Sequence, residues 1–226
     1  MPDVNFRANE SIARGYLAIP AQWSGPATVV VQQWWTVDEH IRSVCDRFAA
    51  EGFLALAPDL YGRRPAAEPG EAEQRMMARS MDRAQAQMRG AVAYVAAHEA
   101  FNGAGVAAVG FGLGGGVAVW AAATGPGVHA VVTYYDVMAY GRPDFSSIRA
   151  SVLGHFGMRD ELISVQTAQA LEAEMREAGV RARFELYPGA GHAFFDDTGG
   201  LDTYDAPAAQ RSWESTIEFL HHELKH

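Results

Sequence analysis

Apolar and β-branched runs of strand length alternate with helix-period segments along most of the chain. Strands are predicted at 15–20, 27–33, 53–58, 105–111, 129–135, 151–157 and 183–188. Helices are predicted at 38–51, 71–98, 113–124, 164–178 and 206–224. Several middle strands are apolar on both faces, as a sheet covered by helices on both sides requires. The pattern predicts an α/β fold with a mostly parallel, doubly wound sheet, forming a single domain over residues 1–226.

Composition narrows the class of protein. The 226 residues suffice for one full α/β core, and the net charge of −9 comes without a basic block, so we expect no nucleic-acid partner. No apolar run approaches the roughly 20 residues that span a bilayer. The first ten residues also lack the layout of a signal peptide. We therefore expect a cytoplasmic protein without a membrane partner. Cys45, the single cysteine, lies in a helix pattern and is expected to be buried and inert.

The glycine cluster in "VAAVGFGLGGGVAVW" (106–120) permits two interpretations. Gly110, Gly112 and Gly115 match G-x-G-x-x-G, the dinucleotide-binding fingerprint. Asp136 ends the next predicted strand, near where a ribose-binding acid would lie. That fingerprint normally opens the first βαβ unit, whereas at least three predicted strands come first in this chain. The late position of the motif weakens this interpretation, and a nucleotide-binding oxidoreductase stays as an alternative to the hypotheses given below.

The same turn also has the form of the nucleophile elbow of an α/β-hydrolase. Downstream, "GMRDE" and "PGAGHAFFDD" each follow a predicted strand and supply Asp160 and His192. Nucleophile, acid and base thus follow in the order of that class. Asp160 is expected to orient one ring nitrogen of His192 and leave the other facing the reaction centre.

Over about residues 10 to 224 the sequence resembles the dienelactone hydrolase family. The matching stretches are "VVVQQWWTVDEHIRSVCDRFAAEGFLALAPDLYG", "VGFGLGGG", "VLGHFGMRDE" and "LYPGAGHAFFDD". The resemblance implies the α/β-hydrolase fold and a Cys–Asp–His triad, of which Asp160 and His192 match the last two members. The cysteine position is occupied by Gly112.

Further departures accompany the missing cysteine. Gln33 stands where the family usually has a glutamate, Thr36 replaces a glycine, and Asp136 stands where glycine is common. Glycine has no side chain, so residue 112 cannot carry a covalent acyl group. By resemblance, the oxyanion hole uses the backbone N–H groups of Leu113 and Trp34. The expected substrate pocket comprises Gln33, Trp35, Thr36, Tyr135, Asp136 and Phe194.

These residues favour an enzyme that acts on a small carbonyl or lactone compound through His192 and Asp160. Isomerisation, elimination, cyclisation or water-mediated ring opening all fit, and the missing thiol is expected to leave space for a water. A second hypothesis is a protein that only binds its ligand, either a pseudoenzyme or a nucleophile knockout. This chemistry requires no organic cofactor or metal. The H-E-x-x-H match in "HELKH" (222–226) is interpreted as a solvated helix end rather than a zinc site. We expect a monomer or homodimer, with His40 and His155 in structural roles.

Overall fold

The computed structural model describes residues 3–9, 11–33, 37–60, 80–136, 138, 141–198 and 203–225. Within these ranges the strands are β1 (Asp3–Ala8), β2 (Ser11–Ala18), β3 (Gly25–Val31), β4 (Leu54–Pro58), β5 (Phe101–Phe111), β6 (Ala130–Tyr134), β7 (Ser151–Gly157) and β8 (Ala182–Tyr187). The helices are α1 (Glu39–Ala50), α2 (Ser80–Ala96), α3 (Leu113–Thr124), α4 (Val165–Glu177) and α5 (Ala206–Glu223), with a 3₁₀ turn at Phe145–Ser147.

The strands of this part of the chain form one eight-stranded sheet in the order β1-β2-β4-β3-β5-β6-β7-β8. From β4 to β8 every neighbouring pair is parallel, which confirms the predicted α/β class. β1 and β2 are antiparallel, and Gly15 of β2 pairs with Pro58 at the carboxyl end of β4. The β1–β2 hairpin therefore extends one edge of the sheet.

The hairpin is where the sequence prediction was wrong. β1 was not predicted, and the strand expected at 15–20 begins at residue 11. Only Phe6 and Ala8 of β1 are buried, so this edge strand carries too few apolar residues to stand out in the sequence. The bounds of α3 and β7 agree with the prediction.

Hydrophobic side chains cover both faces of the sheet. Val29 and Val31 of β3 pack on the face covered by α2, α3 and α4, whereas Val30 packs on the face covered by α1 and α5. Successive side chains of a strand point to opposite faces, so a strand apolar at every position serves two cores. The helices thereby hold the carboxyl ends of the parallel strands at one edge, where ligands bind in open α/β sheets.

Cys45 is fully buried in α1, as expected, and burial raises the pKa of its thiol. In the described part of the chain, no helix has the length and apolar character needed to cross a membrane.

Candidate active site

Gly112 forms a sharp turn between β5 and α3. Its backbone has φ 49° and ψ −128°, in the region that side-chain-bearing residues rarely adopt. The turn is fixed by two hydrogen bonds: the Gly112 N–H donates to the Tyr134 carbonyl at 3.0 Å, and the Gly115 N–H donates to the Gly112 carbonyl at 2.7 Å. This strained strand-to-helix turn has the geometry of a nucleophile elbow, with no side chain at its tip.

The neighbouring glycines are explained by close packing. A Cβ atom on Gly110 would lie 2.0 Å from the Gly114 carbonyl oxygen. One on Gly114 would lie 2.5 Å from the Val31 carbonyl oxygen, at the end of β3. The first turn of α3 thus contacts the sheet directly. A Cβ on Gly115 would likewise lie 2.2 Å from Thr133 Oγ1, so packing alone accounts for Gly110 and Gly115 of the G-x-G-x-x-G pattern.

His192 and Asp160 lie together, at the carboxyl ends of β8 and β7. His192 Nδ1 is 2.8 Å from Asp160 Oδ2, and the Asp160 side chain is fully buried. The other carboxylate oxygen, Oδ1, accepts the N–H groups of Leu162 at 2.8 Å and Ile163 at 2.9 Å. The carboxylate is therefore held by its own loop and orients the imidazole. The hydrogen bonds found among the described residues engage only Nδ1 of His192, so Nε2 is available to a ligand.

Tyr134 and Tyr135 point in different directions. The Tyr134 hydroxyl lies 2.8 Å from Thr216 Oγ1 and donates to the Ser212 carbonyl at 3.2 Å, on the α5 side of the sheet. Tyr135 has φ 40°, and its ring centroid lies 5.4 Å from that of His192 in an edge-to-face contact. Its hydroxyl is buried with no hydrogen-bond partner in the described ranges, and burial raises its pKa well above the usual value. Of these two tyrosines, Tyr135 is therefore the one that lies beside the His–Asp pair.

The remaining predicted pocket residues fall into three groups. Leu113 is the first residue of α3, and Phe194 is fully buried with its ring centroid 5.6 Å from that of Tyr135. Asp136 is a turn residue: its Oδ1 accepts the Met138 N–H at 3.1 Å, and its side chain packs on the first turn of α3. The predicted residues outside the described ranges are Trp34, Trp35 and Thr36.

Gln33 occupies the space next to Gly112 that was expected to hold a water. An ideal Cβ on residue 112 would lie 2.7 Å from Gln33 Cγ and 3.2 Å from Cδ. That expectation was wrong at the Cβ position of residue 112, because the Gln33 side chain, from the end of β3, lies against it. Nothing in the sequence around Gly112 indicates this contact, since the two residues are far apart along the chain.

Sequence reasoning also missed the surroundings of two histidines. His155 is fully buried, with Nδ1 2.8 Å from the Tyr187 hydroxyl and Nε2 3.0 Å from Thr216 Oγ1. Burial lowers its pKa to about 3. The His155 carbonyl also accepts the Tyr135 N–H at 2.9 Å, which links this network to the site. His40 has a partner as well, because its Nδ1 lies 2.9 Å from Asp197 Oδ1.

Within the described ranges, the one group of potential metal ligands is His40, Asp196 and Asp197, whose ligand atoms lie within 4.8 Å of one another. The His40–Asp197 ion pair already occupies two of the three side chains. Of the H-E-x-x-H match, expected to be a solvated helix end, the His222 side chain is 82% exposed, whereas the Glu223 side chain is only 13% exposed and accepts hydrogen bonds from Ser151 and Arg181.

A glycine turn after β5, an acid after β7 and a histidine after β8, carried by this sheet, have the arrangement of the α/β-hydrolase fold. The profile of the dienelactone hydrolase family matches residues 13–224. The chain belongs to the dienelactone hydrolase family.

Relatives and solved structures agree with this assignment. Protein usf of Aquifex pyrophilus is 29% identical over 224 residues, covering 96% of each chain. An Escherichia coli (strain K12) protein provisionally named carboxymethylenebutenolidase is 31% identical over 226 residues, covering 91% of this chain and 80% of the relative. The dienelactone hydrolase-like promiscuous phosphotriesterase P91, from metagenomic libraries, has a TM-score of 0.85 at 26% identity and covers 98% of this chain and 97% of its own. The structure named m3DLH has a TM-score of 0.87 at 27% identity, with the same coverage.

Proposed function

We propose that this protein is an enzyme that acts on a small carbonyl or lactone compound by non-covalent acid–base chemistry of His192 and Asp160. The observation that carries the proposal is their contact: Asp160 Oδ2 lies 2.8 Å from His192 Nδ1, while Oδ1 is held by two backbone N–H groups. A carboxylate fixed in this way keeps the imidazole in one orientation and stabilises the imidazolium form that proton transfer produces.

The elbow contributes positive electrostatic potential. The first N–H groups of a helix have no intrahelical acceptor, and Gly112 makes no side-chain cap to the first turn of α3. The N–H of Leu113 is therefore free to serve an oxyanion, aided by the helix dipole. The family resemblance adds the N–H of Trp34 as the second donor. Together these donors favour a substrate whose oxygen gains negative charge during the reaction.

Two reactions use this arrangement. In the first, His192 Nε2 takes a proton from a carbon next to a carbonyl, the electron pair moves to the carbonyl oxygen as an enolate, and the proton returns at another position. In the second, His192 takes a proton from a water as the water oxygen bonds to a lactone carbonyl carbon. The ring C–O bond then breaks, and the leaving oxygen receives the proton from His192. The name of the E. coli relative refers to a butenolide, an unsaturated lactone, which supports this substrate class.

Isotope incorporation tests the proposal directly. Small lactones, enol esters and β-dicarbonyl compounds are incubated with the protein in D₂O and in H₂¹⁸O, and products are analysed by mass spectrometry. Deuterium next to the carbonyl indicates proton transfer, and ¹⁸O in a new carboxylate indicates water attack. We expect one of these labels, and we expect His192→Ala to lower its rate by about 10²–10⁴. His222→Ala is the control, since this side chain is 82% exposed. An equal rate in the His192 variant, or no label with any compound, contradicts the proposal.

Ligand binding without turnover is the second candidate. It is favoured by the Gln33 side chain, which leaves no room for a Cβ at residue 112. Such a protein would bind a lactone or carbonyl compound in calorimetry and never yield a labelled product. His192→Ala would then change the affinity only modestly.

A further inference from the structure

Gln33 packs so closely against Gly112, at the tip of the elbow, that a side chain on residue 112 would clash with it. The Cβ position of residue 112 lies 2.7 Å from Gln33 Cγ and 3.6 Å from Nε2. In this fold the side chain at the elbow tip is the one that reaches the reaction centre. The amide of Gln33 therefore stands beside the point from which a nucleophile would project.

The amide of Gln33 is also buried and unpaired. Gln33 is 9% exposed, and its Nε2 is buried without a hydrogen-bond partner among the residues that the structure describes. The great majority of buried polar groups in folded proteins have a partner, because an unpaired donor has lost its water without compensation. A buried donor held unpaired beside the elbow is suited to a partner that arrives with the ligand.

Two other buried hydroxyls show how specific this placement is. The Tyr135 hydroxyl, also unpaired, belongs to the residue whose ring contacts His192, so a second polar group without a partner accompanies the site. Thr133 Oγ1 also has no partner in the described part of the chain, but it lies under α3, 2.2 Å from where a Cβ on Gly115 would be. Thr133 therefore offers a matched control: a buried, unpaired oxygen covered by the helix.

We propose that Gln33 is a catalytic residue whose amide N–H donates a hydrogen bond to the substrate oxygen that gains negative charge. This inference rests on the proposed function. It adds that the site binds a substrate whose oxygen becomes an enolate or alkoxide anion. As His192 removes the proton, the C–H electron pair becomes the new C=C bond and the oxygen takes the negative charge. Gln33 forms no covalent bond and transfers no proton. A carboxylate at position 33 would repel that oxygen, whereas the neutral amide attracts it.

The test uses 4-nitrophenol as a probe, because its oxygen mimics an enolate and its absorbance distinguishes the phenol from the phenolate. We expect the wild-type protein to bind the phenolate and to raise the ionised fraction of the bound probe. Gln33→Met, of similar length but without the donor, should bind the phenolate about ten- to a hundredfold more weakly. Gln33→Glu should bind it more weakly still. Thr133→Val should bind it as the wild type does.

Several results would overturn the inference. One is a wild-type protein that does not bind the phenolate at millimolar concentration. The others are a Gln33→Met variant that binds it as the wild type does and a Gln33→Glu variant that binds it more tightly than the wild type. Gln33→Leu repeats the test if the methionine variant fails to fold by circular dichroism. The assay measures binding rather than turnover, so its outcome is separate from that of the proposed function. If the isotope experiment fails while the loss of phenolate binding in Gln33→Met stands, the donor is real and the acid–base chemistry is not.

Discussion

Asp160 holds His192 with one carboxylate oxygen and its own loop with the other. Oδ2 lies 2.8 Å from His192 Nδ1, and Oδ1 accepts the backbone N–H groups of Leu162 and Ile163. One oxygen therefore orients the His192 ring and the other holds the loop. A substitution that changes only the first should alter the orientation of the ring and leave the loop folded.

Asp160→Asn should lower turnover by about 10²–10⁴ while leaving the fold intact. The asparagine oxygen can keep the two loop hydrogen bonds, but its NH₂ group then faces His192 Nδ1. The imidazole must accept at Nδ1 and carry its proton on Nε2, so it can no longer act as a base there. The rate of isotope incorporation measures the loss, and ¹⁵N NMR of the ring reports the tautomer. Glu161→Gln, at the exposed neighbouring position, is the control. Full activity in Asp160→Asn would contradict the assigned role.

Gly112→Ala should destabilise the protein more than Gly179→Ala. Both glycines have positive φ, at 49° and 90°, but no atom lies within 4 Å of a Cβ on Gly179. A side chain at a positive-φ position costs about 1–3 kcal/mol of backbone strain, and only residue 112 must also displace Gln33. Urea denaturation should therefore give a larger loss at 112, part of which Gln33→Ala relieves. A double-mutant coupling of zero would show that the two side chains do not compete for the same space.

Gly112→Cys should react with activated esters slowly on its own and faster when combined with Gln33→Asn, which shortens the side chain but keeps the amide donor. The elbow geometry suits a nucleophile, and His192 can accept the thiol proton. Gln33 blocks the place of the new side chain until it is shortened. Mass spectrometry after mixing with a slow ester should detect one acyl group on residue 112. Cys45 serves as an internal control, because it is fully buried and should stay unmodified. The reverse order of rates would contradict the steric assignment.

His155 should make the protein less stable as the pH falls below about 6.5. Burial lowers the pKa of His155 from 6.5 to about 3. Between these values the unfolded chain binds a proton that the folded chain does not, so the free energy of unfolding falls by up to about 1.4 kcal/mol per pH unit. His155→Gln should be less stable near neutral pH but should lose less stability on acidification. Urea midpoints from pH 7 to pH 4 measure the difference in slope. His129→Gln is the control, and equal slopes in His155→Gln and wild type would contradict the assignment.

NAD(H) and NADP(H) should not bind. Gly110 and Gly115 of the glycine pattern are explained by the close packing of α3 on the sheet, because a Cβ on Gly115 would lie 2.2 Å from Thr133 Oγ1. Titration monitored by tryptophan fluorescence should give no saturation at micromolar cofactor. Saturable binding would revive the oxidoreductase hypothesis.

The sequence by itself determined the class of fold and the members of the His–Asp pair. Strands that are apolar at every position must be buried on both faces, so the sequence predicts a parallel sheet covered by helices on both sides. Asp160 and His192 could be named because each directly follows a strand, and parallel strands bring such positions to one edge. The polar edge strand β1 escaped notice, since a strand with two buried residues has almost no hydrophobic signal.

Only the tertiary structure decided what lies against Gly112. Gln33 and Gly112 are 79 residues apart and meet because β3 and β5 are neighbours, pairing Val31 with Gly110. Sequence reasoning treats a glycine as empty space, whereas a folded interior is filled by whichever side chain can reach. The same applies to Tyr135, whose positive φ and contact with His192 depend on the packing around it. The sequence thus names the residues at the edge of the sheet, and close packing determines which of them face the ligand.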